Sequence, residues 1–318
     1  MKTMKKKIFL LCSIIFAFVG KTLSQQDPLL THFFYNKMSF NPASTGSEDY
    51  FVGTSTYRNQ WDNVQGAPNS AALNVEGNIE RFFPGGLGLS FFHDAIGFNR
   101  QNNLMLNYSY PVKINSRNEV RFGIGLGMLN FGMRPDWVTS SSQFDKSLPT
   151  EFSSTGLDLN IGVYYKSANN FYAGLSITHA NGQEIKHSTE QGNLTFDQLY
   201  PIKRHLYLMG GYQTRKIGPG SIDAQILLKT EFNFTSIDLN ARYMIDKLGY
   251  AGLTFRNADA ISIILGYMPI PNFTVGYAYD ITTNKLSNVS RGSHEILLRY
   301  VYYLPIPPIE ISRHPRWL

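Results

Sequence analysis

The sequence predicts an all-β protein, a closed antiparallel β-barrel of about fourteen strands that crosses a membrane. Three observations carry this. Apolar residues alternate with small or polar ones at a period of two along most of the chain. The candidate strands number fourteen, and single-chain bacterial barrels use even numbers. Long connections follow only odd-numbered strands.

The alternation is clearest at 120–128, where Val120, Phe122, Ile124, Leu126 and Met128 share one face and Arg121, Gly123, Gly125 and Gly127 the other. At 273–281, Phe273, Val275, Tyr277, Tyr279 and Ile281 oppose Thr274, Gly276, Ala278 and Asp280. At 157–165, Leu157, Leu159, Ile161, Val163 and Tyr165 oppose Asp158, Asn160 and Gly162. The runs at 104–112 and 237–245 repeat the scheme. A soluble sandwich also alternates, but its second face meets bulk water and carries Lys, Glu and Thr. Here that face carries Gly, Ala, Ser, Asn and occasional single charges, which suits a crowded or wet lumen, while the aliphatic and aromatic face suits lipid. Tyrosines near strand ends (Tyr164, Tyr165, Tyr267, Tyr277, Tyr279, Tyr300, Tyr302, Tyr303) fit aromatic girdles at the membrane interfaces.

In order, the strands are expected at 50–60, 69–81, 86–94, 101–112, 119–130, 156–165, 171–180, 204–214, 221–230, 235–244, 247–256, 259–268, 273–281 and 294–303. The run at 247–256 changes parity, with Leu248 and Tyr250 against Ala251, Leu253 and Phe255, so a bulge is expected there. The long connections are 131–155, 181–203 and 282–293. The short ones are 82–85, 113–118, 166–170, 215–220, 245–246 and 269–272, several with turn residues such as Pro84-Gly85-Gly86, Asn169-Asn170, Gly218-Pro219-Gly220 and Pro269-Ile270-Pro271. This asymmetry places both termini and the short turns in the periplasm and the long loops outside the cell.

The ends of the chain are different. Lys5, Lys6 and Lys7 precede an apolar run from Ile8 to Val19, followed by Thr22, Leu23, Ser24 and the polar Gln25-Gln26-Asp27. This is the pattern of a secretory signal peptide over 1–24, with cleavage after Ser24 or, alternatively, Gly20. The apolar run is shorter than the ~20 residues a membrane helix needs. Cys12 lies inside that run behind Leu10-Leu11, where a lipoprotein signal requires a small residue, so it reads as an ordinary signal-peptide cysteine. Residues 25–49 form an irregular segment before the barrel at 50–303, and 304–318 form a periplasmic proline-rich tail. The whole chain carries a net charge of +6, which alone would suggest an anionic partner such as nucleic acid. Five of the 29 basic residues are lysines of the signal segment. Without them 24 face 23 acidic ones, a net charge of +1, and the inference to nucleic acid lapses.

No catalytic set emerges. His93 and Asp94 are neighbours and point to opposite faces of a strand, and His179 lies three residues from Ser176, the wrong parity to share a face with it. No Gly-x-Ser-x-Gly is present, which weighs against an outer-membrane hydrolase. Glu184, His187 and Glu190 could hold a metal on a helix, but in the connection 181–203 they read as a solvated polar loop. Gly123-Ile124-Gly125-Leu126-Gly127 sits within an alternating strand, so its glycines read as space on the lumen side rather than as a nucleotide loop. No metal or cofactor is called for, and the protein reads as non-enzymatic.

Three stretches stand out. The first holds Asn41-Pro42-Ala43 and Gly46. The second is Tyr57-Arg58-Asn59-Gln60-Trp61 followed by Gly66-Ala67-Pro68. The third pairs Tyr277-Ala278-Tyr279-Asp280 with Gly292-Ser293-His294-Glu295. The first and last strands would bring the second and third stretches together at the barrel seam. With Phe91-Phe92-His93-Asp94-Ala95-Ile96-Gly97, these blocks resemble the PorP/SprF family of type IX secretion outer-membrane proteins of Bacteroidetes, over essentially the whole mature chain. The opening Leu29-Leu30-Thr31-His32-Phe33-Phe34-Tyr35 departs from the family's usual Gln- or Met-rich stretch. The resemblance implies a barrel in outer-membrane lipid that helps secreted cargo or gliding adhesins reach the surface. Its implied partners are the type IX translocon with its periplasmic components and the C-terminal sorting domain of the cargo. The motif residues would then be structural or partner-binding. The alternative reading is an outer-membrane diffusion channel or fatty-acid-type transporter.

Overall fold

A computed structural model describes residues 29–136, 151–191, 194–231, 234–257 and 259–305. The stretch predicted to be a signal peptide, with Cys12, and the part of the tail beyond 305 lie outside the described residues. Fourteen strands form the barrel: β1 Phe51–Asn59, β2 Asn69–Asn78, β3 Gly86–Ile96, β4 Asn99–Asn115, β5 Asn118–Met133, β6 Phe152–Ser167 and β7 Phe171–Thr178, then β10 His205–Gln213, β11 Gly220–Thr230, β12 Thr235–Ile245, β13 Gly249–Arg256, β14 Ala260–Ile270, β15 Phe273–Thr282 and β16 Ser293–Tyr302. Between them β8 Glu184–Gln191 and β9 Leu194–Pro201 pair as a separate two-stranded sheet. Each barrel strand pairs antiparallel with its neighbours, and β1 closes on β16 from Phe51↔Tyr302 to Asn59↔His294. Closure leaves no barrel strand at a free edge of the sheet, and within the paired registers the backbone groups are satisfied in the wall.

The predicted parity holds. Leu104, Leu106, Phe122, Ile124, Leu126, Met128, Ile263, Leu265, Ile296 and Leu298 all point outward and are exposed. A face this apolar and this extensive suits hydrocarbon rather than water. None of the helices among the described residues is long and apolar enough to cross a membrane. Exposed aromatics gather at the end that carries the termini, including Tyr110, Phe171, Tyr212, Tyr267, Tyr300 and Tyr302. At the opposite end Tyr57 and Tyr277 are the exposed tyrosines of the motif strands. Tyr164 does not belong to a girdle. It is 1% exposed, points into the barrel and stacks on Tyr172 at 5.5 Å.

Other expectations need correcting. Strand β13 pairs in unbroken register with both neighbours, so no bulge occurs at 247–256. Its Ala251, Leu253 and Phe255 face outward and Tyr250 faces inward, while Leu248 belongs to the preceding turn. Register shifts occur instead between Tyr267 and Ile270 and between Lys113 and Asn115. β14 runs through Pro269 to Ile270, and the turn is made by Pro271 and Asn272, the latter at φ 66°. The connection 181–203 is not an irregular loop, because most of it forms the β8–β9 hairpin. An extended backbone there voids the helical spacing of Glu184, His187 and Glu190, and the side chains of 185–199 lie outside the described residues. β4, β5 and β6 run 17, 16 and 16 residues, longer than predicted, and narrow the connection after β5.

The lumen is filled. Residues 29–50 run through it as a plug with three short turns, Phe33–Tyr35, Lys37–Phe40 and Pro42–Ser44. Leu30, Phe33, Phe34, Phe40 and Ala43 form one buried cluster with Tyr164, Tyr172, Tyr207, Tyr250 and Ile264 of the wall. The predicted lumen-side glycines mark where plug and wall touch. A Cβ on Gly123 would lie 2.1 Å from the Ala43 nitrogen, and one on Gly162 would lie 2.1 Å from Asn41 Oδ1. A side chain at either position excludes the plug from its seat. We therefore expect Gly162→Val to weaken docking of the plug by about 1–3 kcal/mol while the wall still forms. Cys12 is the one cysteine of the sequence, so a Met38→Cys probe in a Cys12→Ser background reports the change. Maleimide labelling of Cys at 38 should rise in the Gly162→Val background while the barrel keeps its SDS-resistant mobility. Unchanged labelling rejects this role for Gly162.

Candidate functional site

The site grows from a plug turn that must satisfy its own backbone. Thr31 and His32 begin the Phe33–Tyr35 turn, and their amide N–H groups point at the wall. Glu295 of β16 accepts both, from Thr31 N at Oε2 and from His32 N at Oε1, each at 2.7 Å. His32 Nδ1 reaches the same Oε1 at 2.7 Å. An ionised carboxylate only accepts, so Nδ1 donates. Asp280 of β15 accepts from Thr31 Oγ1 at 3.1 Å. Arg58 of β1 completes the cluster, donating to Thr31 Oγ1 at 2.8 Å and to Asp280 Oδ2 at 2.6 Å, with Glu295 Oε2 at 3.5 Å. Arg256 of β13 extends it to Asp280 at 3.7 Å and to Asp238 of β12 at 2.9 Å.

All of these side chains are almost wholly buried, with Glu295 and Asp280 at 0%. Buried charges persist only when paired and hydrogen-bonded. Here Glu295 and Asp280 each receive donors from at least two elements, and the plug supplies several of them. The plug is therefore part of the charge balance of the wall. Strand pairing explains the assembly: Arg58 sits opposite Glu295 and Ala278 opposite Glu295. The inward parity of β1, β15 and β16 brings Arg58, Asp280 and Glu295 to one place at the seam.

A second anchor lies deeper along the plug. Asn41 caps the Pro42–Ser44 turn by accepting from Ala43 N at 2.9 Å, and its amide donates to Val163 O of β6 at 3.1 Å. Pro42 starts that turn, where a missing N–H costs nothing. Gly46 has φ 58°, and its N–H donates to Glu76 Oε2 at 2.8 Å.

The remaining motif residues form a stitched rim at the far end of the barrel. Trp61 N donates to Ser293 Oγ at 3.1 Å, Asp62 N to Gly292 O at 2.7 Å and Arg291 N to Asp62 O at 2.9 Å. Gln60 N donates to Pro68 O, and Gly97 N to Gly66 O, both at 2.9 Å. Gly66 at φ 74° and Gly292 at φ 94° adopt backbone that only glycine takes readily. A cleft of about 280 Å³ lies between these loops, lined by Asn59, Trp61, Ala67 and Arg100 among others. Asp94 sits near this end and accepts from Ser70 Oγ at 2.6 Å. Tyr57 and His294 point outward, and His294 Nδ1 meets Tyr277 Oη at 2.7 Å; Tyr279 donates to Arg291 O at 2.8 Å. The motif residues thus divide into a buried seam cluster (Arg58, Asp280, Glu295), a plug anchor (Asn41, Pro42, Gly46) and a rim.

Sequence reasoning missed Thr31, His32, Arg256 and Asp238. Their signal was present: a charge on the small-residue face of a barrel strand must find a partner, and Asp238 and Arg256 both have that parity. It also misjudged Ser176 and His179. His179 has φ 53°, which turns its side chain inward, so both residues are buried in the lumen. Ser176 Oγ donates to Phe40 O at 2.6 Å, and His179 Nδ1 faces Asp158 Oδ1 at 2.9 Å. Ser176 thereby ties the plug to the wall, and His179 ties the end of β7 to β6. Among the described residues no group of three His, Cys, Asp or Glu side chains is arranged to hold a metal.

Removing one member of the seam cluster leaves its partners charged and buried. Arg58→Ala, Asp280→Ala and Glu295→Ala should each lower barrel stability by about 3–5 kcal/mol, read as the urea midpoint in detergent micelles. The three losses should be strongly non-additive in double variants. Additive effects would show that the cluster does not act as one unit.

Comparison with known proteins places this geometry. Comparison with curated proteins finds no match. Among solved structures, the CymD monoaromatic hydrocarbon channel is similar at 11% identity, over 85% of this chain and 93% of that one, with a TM-score of 0.53. The Ralstonia pickettii toluene transporter TbuX follows at 11% identity, 84% and 93% coverage and a TM-score of 0.49. At such identity the likeness to CymD shows the fold alone, that of an outer-membrane barrel. The family model described as "Type IX secretion system membrane protein PorP/SprF" matches residues 22–300. That span holds the plug, the seam cluster and the rim, and the chain belongs to the PorP/SprF family of type IX secretion system membrane proteins.

Proposed function

We propose that the protein is a non-enzymatic outer-membrane accessory of type IX secretion, which helps cargo or gliding adhesins reach and stay on the cell surface. It does so by binding the cargo's C-terminal sorting domain together with translocon and periplasmic partners. The observation that carries this reading is the filled lumen. A plug tied to four strands by buried charge is built to stay in place, which suits a binding scaffold and disfavours free diffusion of solute. In this reading Arg58, Asp280, Glu295, Asn41, Pro42 and Gly46 keep the plug seated. The rim residues Asn59, Gln60, Trp61, Gly66, Ala67, Pro68, Gly97, Gly292 and Ser293 shape a surface open to partners. The termini and short turns face the periplasm, residues 1–24 are removed, and the mature chain starts at Gln25.

Deletion of the gene should remove cargo from the surface or abolish gliding, and detergent pull-down of the tagged protein should recover a sorting domain or translocon component. Planar-bilayer recordings should show no stable conductance. Robust substrate-dependent flux with no co-purifying partner would instead favour the channel or fatty-acid-type transporter.

A further inference from the structure

The barrel end that carries the termini holds a cavity of about 410 Å³, walled on one side by the plug and on the other by the barrel. Its charged lining is uneven in its pairing. Lys166 pairs with Glu48 at 3.0 Å, and Arg242 with Asp223 at 2.5 Å. Lys37 and Arg299 also line the cavity, and among the described residues neither has a carboxylate within ion-pair distance. Lys37 Nζ lies 3.9 Å above the Tyr172 ring. Arg299 lies 4.8 Å from the Tyr35 ring and donates to Tyr50 Oη at 3.0 Å.

Arg242 adds an independent observation. It is 4% exposed, and its Nε and Nη1 have no hydrogen-bond partner. Its guanidinium rests 3.6 Å from the Phe34 ring and 4.9 Å from Tyr35. Cation–π contact compensates part of the lost hydration of a buried guanidinium, but not its hydrogen-bonding capacity. Glu76 lines the cavity as well, so Lys37, Lys166, Arg242 and Arg299 face Glu48, Glu76 and Asp223, four cations against three carboxylates, and among the described residues Lys37 and Arg299 are the cations of the lining without an ion pair. Aromatic rings from plug and wall supply apolar surface beside them.

We infer that this cavity is a binding site for an organic carboxylate with an apolar arm, its anion taken by Lys37 and Arg299 and its arm by the tyrosine-lined wall. Burial holds the Lys37 amine below the usual lysine range, so a bound anion would restore a charge that the free cavity destabilises. Burial also pushes the Tyr50 phenol up to about 12, so it keeps its proton and stays a donor beside Arg299. The site stands independently of the secretion role: a protein that binds no cargo could still bind the carboxylate, and the reverse.

The test is isothermal titration of the full mature chain in detergent with 4-phenylbutyrate, its neutral amide and inorganic phosphate. Phenylbutyrate should bind saturably, and the amide and phosphate should bind at least about tenfold more weakly. Lys37→Gln and Arg299→Gln should each weaken phenylbutyrate about tenfold or more, with the barrel's SDS-resistant mobility unchanged. The wild-type comparison of acid with amide holds even if a variant fails to fold. No saturation by phenylbutyrate, equal binding of the amide, equal binding of phosphate, or folded variants with unchanged affinity would each overturn the assignment.

Discussion

Three carboxylates and two arginines sit together in the wall of this barrel with almost no access to water, and the plug is what makes that tolerable. Glu295 and Asp280 lie side by side on neighbouring strands, and Arg58 and Arg256 alone do not satisfy their oxygens. The N–H groups of Thr31 and His32, the Thr31 hydroxyl and the His32 ring supply the missing donors. Unpaired charge in such a setting is severely destabilising. The barrel wall, the seam between β1 and β16 and the path of the plug are therefore coupled through one cluster.

The same coupling explains why the motifs are spread across the sequence yet meet in space. β1 is the first strand and β16 the last, and closure makes them neighbours. Arg58 comes from one end of the chain, Asp280 and Glu295 from the other, and the plug precedes them all. The rim repeats this pattern in backbone hydrogen bonds: the loop after β1 reaches the chain entering β16 through Trp61, Asp62 and Ser293. A motif that tolerated drift at either end would lose both the buried cluster and the rim. On the plug's other flank, Asn41 between Gly162 and Gly174 fixes depth, so that plug position is set by charge at one point and by close backbone approach at another.

Much of this was legible from residue order. A period of two, an even count and loop-length parity follow from strand geometry and from the need to close an edge, and none requires a remote contact. Gly123 and Gly162 were recognisable as lumen-side space, though not as seats for a plug. The errors share a cause. Tyr164 was read as a girdle residue and Tyr250 as one side of a parity change that marks a bulge, yet both are tyrosines at inward parity that pack with the plug. His179 was assigned by parity, yet one left-handed residue at a strand end reverses the side its side chain takes. The hairpin β8–β9 was read as a polar loop, and its two strands pair with each other as a sheet apart from the barrel.

What the sequence determined by itself is the wall: fourteen antiparallel strands, one apolar face toward lipid and one small or polar face inward, with tight turns at the end of the termini. These are local properties, written into alternation, turn residues and spacing. What only the tertiary structure decided is the interior. Whether residues 29–50 enter the lumen, which donors Glu295 finds, and that Lys37 and Arg299 share one cavity with no carboxylate at ion-pair distance all depend on contacts between residues far apart in the chain. Single inward charges look isolated along a strand. Closure of the barrel turns them into a network, because buried charge must find its partner wherever the fold places one.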